Sequence, residues 1–206
     1  MKKEDKKLTW YNVTLRQFQL LQELIKIEDE NERVISVAEL IFGSDVTNLT
    51  ISEFNQKVNQ MEFLKDALPD IVPPKNVEVN GRKYYIDSLL GKITTAQYVD
   101  FTNHAKGGDI CKMMSVFFIP DGHKYNDGYD MEQVFRDIED LPIPVVNSTA
   151  FFFKRQLEVF MKVFQRYSIR NIKKTNLTKK AKKAAIEVVQ KSVDMVLSPT
   201  SYGSVK

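Results

Sequence analysis

Three short stretches constrain this chain more than anything else in it. Asn12-Val13-Thr14-Leu15-Arg16-Gln17-Phe18, Asn48-Leu49-Thr50-Ile51-Ser52-Glu53-Phe54 and Lys92-Ile93-Thr94-Thr95-Ala96-Gln97-Tyr98 share one order: an apolar residue, Thr, two variable residues, Gln or Glu, then an aromatic. The first turn of a helix leaves backbone N–H groups without intrahelical acceptors. A Thr hydroxyl at the cap accepts from one of them, and a Gln or Glu three residues later reaches back to the N–H of the cap itself. The apolar residue before the cap packs on the aromatic in the first turn, so the angle at which the chain enters the helix is set as well. Helices are therefore predicted to start at Thr14, Thr50 and Thr94. The spacing of the three is close to that of solenoid repeats, but the segments beyond the caps do not match, which favours a shared local device over a repeat. The same Thr residues create Asn-x-Thr sequons at Asn12 and Asn48, with others at Asn147 and Asn176. Capping explains the first two without glycosylation, and the charged start Met1-Lys2-Lys3-Glu4-Asp5-Lys6-Lys7 does not read as a secretion signal.

Between and beyond these starts, apolar spacing carries the prediction. A helix is expected from Thr14 to about Ile27, a second through Val34, Val37, Ala38 and Ile41 closed by Gly43, and a third through Phe54, Val58, Met61 and Leu64. Residues 1–68 thus read as an N-terminal helical unit. Residues 69–93 read as a Pro-rich linker and a β-hairpin, with Asn80-Gly81 as its turn, since both central residues of a type I′ turn need positive φ. A lone hairpin is barely stable, so it should lie on helices or on another chain.

Residues 94–197 read as a helical C-terminal unit. Within it, 110–119 is expected as a mostly buried helix, with Val116 to Ile119 as an alternative strand. Asp130 should cap a short helix, with Gln133 completing a capping box. A long aromatic helix is expected from about Ser148 to Arg170 and a last one from about Thr178 to Leu197. Residues 198–206 have no periodicity and read as a flexible tail. The fold class is thus mainly α, a bundle-like helical protein with a small β-hairpin insertion. Thirteen Phe and eight Tyr against one Trp say that aromatic packing supplies much of the core.

Chemistry is hard to find. The chain has two histidines, His104 and His123, and one cysteine, Cys111. They fall in no metal-ligand spacing, and no phosphate-binding loop, dinucleotide fingerprint or nucleophile elbow occurs. Cys111 sits in an apolar segment, where a small buried thiol is favoured over a nucleophile. One cysteine also excludes an internal disulfide framework and fits a reducing compartment. The oxygen ligands of Asp121, Asn126, Asp127, Asp130 and Glu132 raise a calcium question, but they lack the alternating register and central Gly of an EF-hand. The expectation is a protein that is not an enzyme, with no cofactor and no metal. No stretch reaches the roughly 20 apolar residues of a membrane span.

Contact is the better prospect. Arg166, Arg170, Lys173, Lys174, Lys179, Lys180, Lys182 and Lys183 are separated by no acidic residue. Such a cluster suits phosphates or an acidic protein surface, and the alternative is a solvated linker between two helices. Candidate partner-binding residues are Asn80 and Gly81 at the hairpin turn, His123, Tyr125 and Tyr129 in the turn-rich loop before Asp130, and Arg170, Lys173, Lys174, Lys179, Lys180, Lys182 and Lys183.

Two passages carry a resemblance. Leu8-Thr9-Trp10-Tyr11-Asn12-Val13-Thr14-Leu15-Arg16-Gln17-Phe18 and Phe118-Ile119-Pro120-Asp121-Gly122-His123-Lys124-Tyr125-Asn126-Asp127-Gly128-Tyr129-Asp130 resemble proteins of tailed phages of gut Bacteroidales, including crAss-like phages, over residues 8 to about 165. The first passage is also similar in style to small tail assembly chaperones. The resemblance implies a virion structural or morphogenesis protein, found in the virion or in host cytoplasm during assembly. Its partners would be other phage structural or tail proteins or further copies of itself. The resemblance brings no catalytic residues. A tail assembly chaperone absent from the mature particle and a basic nucleic-acid-binding protein are the competing expectations.

Overall fold

The computed structural model describes residues 7–86 and 92–197; the charged residues 1–6 and the expected tail at 198–206 lie outside them. The protein is mainly α, with one small antiparallel sheet. After a 3-10 turn at Trp10–Asn12 come α1 (Leu15–Leu24), α2 (Glu30–Phe42), α3 (Ile51–Gln60) and a second 3-10 turn, Met61–Lys65. The hairpin β1 (Asn76–Val79) and β2 (Arg82–Ile86) follows, then α4 (Thr95–Gly107), α5 (Ile110–Ser115), β3 (Phe118–Pro120), α6 (Met131–Glu139), α7 (Ile143–Lys174) and α8 (Lys179–Leu197).

All three expected capping boxes form, at Thr14, Thr50 and Thr94. The choice of Gln or Glu within them has a reason that only the packing reveals. Gln17 accepts from the Thr14 N–H at 3.0 Å and spends its amide N–H on the Leu40 carbonyl at 3.0 Å. Gln97, almost fully buried, accepts from the Thr94 N–H and donates to the Val116 carbonyl at 3.0 Å. Each Gln closes its own helix and ties it to a neighbour. Glu53, which has no proton to give at neutral pH, serves only its own cap on the exposed α3. A further capping box, Thr9 with Asn12, holds the first 3-10 turn. This turn places the Trp10 indole edge-on to Phe18 and Phe63, and the indole N–H donates to the Asp66 carbonyl at 3.1 Å.

Several expected boundaries move. The first helix stops at Leu24 rather than Ile27. The 110–119 segment splits into the short α5 and β3, because β2 needs a partner on its free edge: Tyr84 pairs with Pro120, Tyr85 with Ile119 and Ile86 with Phe118. Asn80 and Gly81 both adopt positive φ, as a type I′ turn requires. The hairpin is stabilised by β3 and by burying Tyr84 and Ile86. The long helix begins at Ile143, not Ser148, since Pro144 sits in its first turn, where no N–H is called for. Asp130 caps α6 through the N–H groups of Glu132 and Gln133, but the Gln133 side chain does not return to the cap; it turns to Asp137.

The main core joins residues from Val13 to Val193. At its centre Phe101, Phe117 and Phe153 form a triangle of rings with centroids 4.5 to 5.4 Å apart. Residues 13–15 are pinned to the start of α7 by a two-bond bridge: Leu15 N–H donates to the Leu141 carbonyl and Ile143 N–H to the Val13 carbonyl, at 2.9 and 2.8 Å. A smaller cluster around Ala38, Val46 and Met61 holds α2 to α3.

Candidate interaction surfaces

The expected contact residues fall in three places. The hairpin turn is the first. Asn80 is exposed, but its amide donates to Asp137 Oδ1 at 2.9 Å and to Asp140 Oδ2 at 3.0 Å. Arg82, next along the hairpin, makes a bidentate pair with Asp137 through Nε at 2.5 Å and Nη2 at 2.7 Å. The Tyr84 hydroxyl and the Gln133 amide complete the set. Asp137 is fully buried, and four side chains converge on its two oxygens. Burial alone would raise its pKa. The hydrogen bonds from Arg82, Tyr84, Asn80 and Gln133 outweigh that and hold its carboxyl well below the usual carboxylate range. This is a clasp between hairpin and α6, so the Asn80 amide is committed inside the fold.

Asp137 was not among the candidate residues, although a signal existed. It shares the inward face of α6 with Val134 and Ile138, both buried, and a carboxylate on such a face demands buried donors.

The loop before Asp130 is the second place. Its Tyr residues serve as anchors: the Tyr125 hydroxyl donates to Asp100 Oδ2 at 2.7 Å, and both Tyr125 and Tyr129 pack against the core. Burial raises the pKa of each phenol, and Asp100 adds to the rise at Tyr125. His123 is exposed, 3.7 Å from Asp127 Oδ2 and edge-on to the Tyr129 ring. Among the described residues no group of three or more His, Cys, Asp or Glu side chains is arranged to hold a metal ion. Cys111 is buried, with its thiol pushed up to about 12 by burial and by the charges of Glu139 and Asp109. A thiol in that state is protonated, and so unreactive, at neutral pH.

The third place is the α7–α8 hairpin, where the structure gathers the basic residues. Arg170, Lys173 and Lys174 end α7, and Lys179, Lys180, Lys182 and Lys183 begin α8, so all seven crowd the turn between the helices. Lys182 Nζ donates to the Lys173 carbonyl at 2.9 Å, closing the exposed end of α7, and the Thr178 hydroxyl accepts from the Ala181 N–H to start α8. The surfaces around this turn are shallow and open, one lined by the four α8 lysines and Ile186, the other by Arg166, Ile169 and Arg170 with Lys173 and Lys174.

Sequence reasoning placed the α7 aromatics in a helix without saying which would be covered. Phe153, Leu157 and Met161 are buried, while Val159, Phe160, Val163, Phe164 and Tyr167 stand in solvent. Phe160 and Phe164 stack with centroids 6.4 Å apart. Among the described residues, no helix is long and apolar enough to cross a membrane. Compared with known proteins, the chain matches no family model, and neither a curated protein nor a solved structure is significantly similar to it.

Proposed function

We propose that this protein is a non-enzymatic structural or morphogenesis protein of a tailed phage, acting through protein–protein contacts in the virion or in host cytoplasm during assembly. The observation that carries the contact role is the uncovered apolar stripe on the outer half of α7. Three aromatic side chains, each about half exposed, present on the order of 100 Å² apiece. With the two valines beside them they form the kind of contiguous patch that marks an interaction site. The phage assignment rests on the likeness of residues 8–18 and 118–130 to proteins of tailed phages of gut Bacteroidales.

Mass spectrometry of purified particles tests the reading. A chain present at many copies per particle supports a virion component. A chain abundant in infected cells and missing from particles supports the assembly-chaperone variant. A chain that is in neither particles nor any complex with tail or capsid proteins overturns both. A second reading, nucleic-acid binding, is favoured by the basic turn between α7 and α8. It predicts that Lys179→Glu, Lys180→Glu, Lys182→Glu and Lys183→Glu together weaken binding to a DNA duplex and flatten its salt dependence.

A further inference from the structure

We infer that the exposed stripe of α7 docks an acidic amphipathic helix of a partner protein; this rests on the contact role proposed above and names the chemistry of the partner. Val159, Phe160, Val163, Phe164 and Tyr167 recur at three- and four-residue spacing, so they form one continuous face two turns long. Their exposures run from 45% to 64%. The neighbouring face of α7, through Leu157 and Met161, is covered, and α8 is the helix packed most extensively on α7. The hairpin is therefore a two-helix unit with one seam filled and a second left open. A face of this width fits the ridges of another helix, which would read it with its own i, i+3, i+4 and i+7 anchors.

Charge selects the occupant. Across residues 151–194 there are twelve Lys and Arg against three Asp and Glu, a balance of +9 in a chain whose total is +3, which leaves −6 for the rest. On α7 itself Glu158 is the lone acid, whereas Lys162, Arg166 and Arg170 border the stripe. A second copy of the same hairpin would bring the same positive charge to the seam, and like charges oppose that pairing. Nucleic acid would satisfy the charge but not the two valines, which offer no ring on which a base could stack. An acidic helix with one apolar face satisfies both.

The test uses the full chain and three fluorescein-labelled synthetic helices of about three heptads. One carries Leu on one face and Glu elsewhere, the second replaces Glu by Lys, and the third scrambles the first. The Glu helix should bind with a dissociation constant in the micromolar range, weakening several-fold in high salt. Phe160→Ala with Phe164→Ala should weaken it at least about tenfold. Both rings are exposed, so the fold should survive, which circular dichroism checks. Arg166→Glu with Arg170→Glu should shift preference from the Glu helix toward the Lys helix.

Absence of Glu-helix binding, equal binding of the scrambled helix, or binding indifferent to the Phe substitutions overturns the inference. So does a concentration-dependent rise in mass that the Phe substitutions abolish without any helix binding, since the occupant is then a second copy. Normal incorporation of the Phe variant into particles overturns this docking site and leaves the structural role standing. Absence of the chain from every particle and complex, with helix binding intact, does the reverse.

Discussion

The two halves of α7 are built from similar residues and meet opposite surroundings. From Ile143 to Phe153 the helix runs through the core, with Val145, Val146, Ser148 and Thr149 buried and the Ser148 and Thr149 hydroxyls donating to the Val145 carbonyl. Beyond Met161 none of its residues is buried, although Val163 and Phe164 are as apolar as Val146 and Phe153. The inner half meets α1, the first 3-10 turn and, through Phe101 on Phe153, α4; the outer half has α8 and little else. Periodicity alone marks a face as apolar, and the number of neighbouring elements decides whether it is core or surface.

The comparison is broken most directly by removing one ring from each half. Phe153→Ala should cost about 3–5 kcal/mol, because it opens a cavity in the Phe101–Phe117–Phe153 triangle. Phe160→Ala on the same helix should stay within about 0.5 kcal/mol. Urea melts of the two variants read the difference, and equal losses would show the outer half to be packed after all.

A smaller effect is expected at the hairpin clasp. Asp137→Ala strands the buried Tyr84 hydroxyl and unpairs Arg82, leaving Asn80 only its bond to Asp140, for a loss of about 2–3 kcal/mol. The acid limb sharpens this. The folded carboxyl of Asp137 titrates below its unfolded value near 3.9. Its contribution is therefore complete above about pH 4 and disappears as pH falls below that. The wild-type protein should lose stability more steeply below pH 4 than Asp137→Asn, as followed by thermal melts across pH.

The caps give a third contrast. Gln97→Glu puts a carboxylate against the Val116 carbonyl in a buried site and should cost about 2 kcal/mol at neutral pH. Glu53→Gln, on the exposed α3, should change stability by less than about 0.5 kcal/mol. The smallest effect belongs to the basic turn. Replacing Lys179, Lys180 and Lys183 with Glu, and keeping the Lys182 that closes the end of α7, should leave the melting temperature unchanged or slightly raised, because acids at the start of α8 suit its dipole by about 0.3–1 kcal/mol. A clear drop would mean that the lysines hold the fold.

Where the sequence was legible, a local rule carried the information. The Thr14, Thr50 and Thr94 starts, the Gly43 stop and the Asn80-Gly81 turn each depend on a few adjacent residues and were readable as such. The strand β3 was harder, because Phe118 and Ile119 are apolar in either conformation and only the free edge of β2 chooses between them. The start of α7 was misplaced because two prolines suggest a break, yet the second lies within the one turn that tolerates it. The clasp was missed for the same kind of reason. Asn80, Arg82, Tyr84 and Gln133 have no pattern in common until the hairpin is laid on α6. Of the candidate contact residues, the seven basic ones were brought together as a group, whereas the loop tyrosines were drawn inward as anchors.

The bridge between Val13 and Ile143 also has a bearing on time. As the chain leaves a ribosome, the segment that must pair with residues 13–15 is made only after six helices and the whole sheet have emerged. Until then Val13 and Leu15, destined to be fully covered, lack the backbone partners that Leu141 and Ile143 supply. Contacts so distant along the chain slow folding and leave apolar surface open in the interval. A nascent chain halted before residue 141 would leave residues 13–15 without these bonds, an interval that ends only with the synthesis of the start of α7.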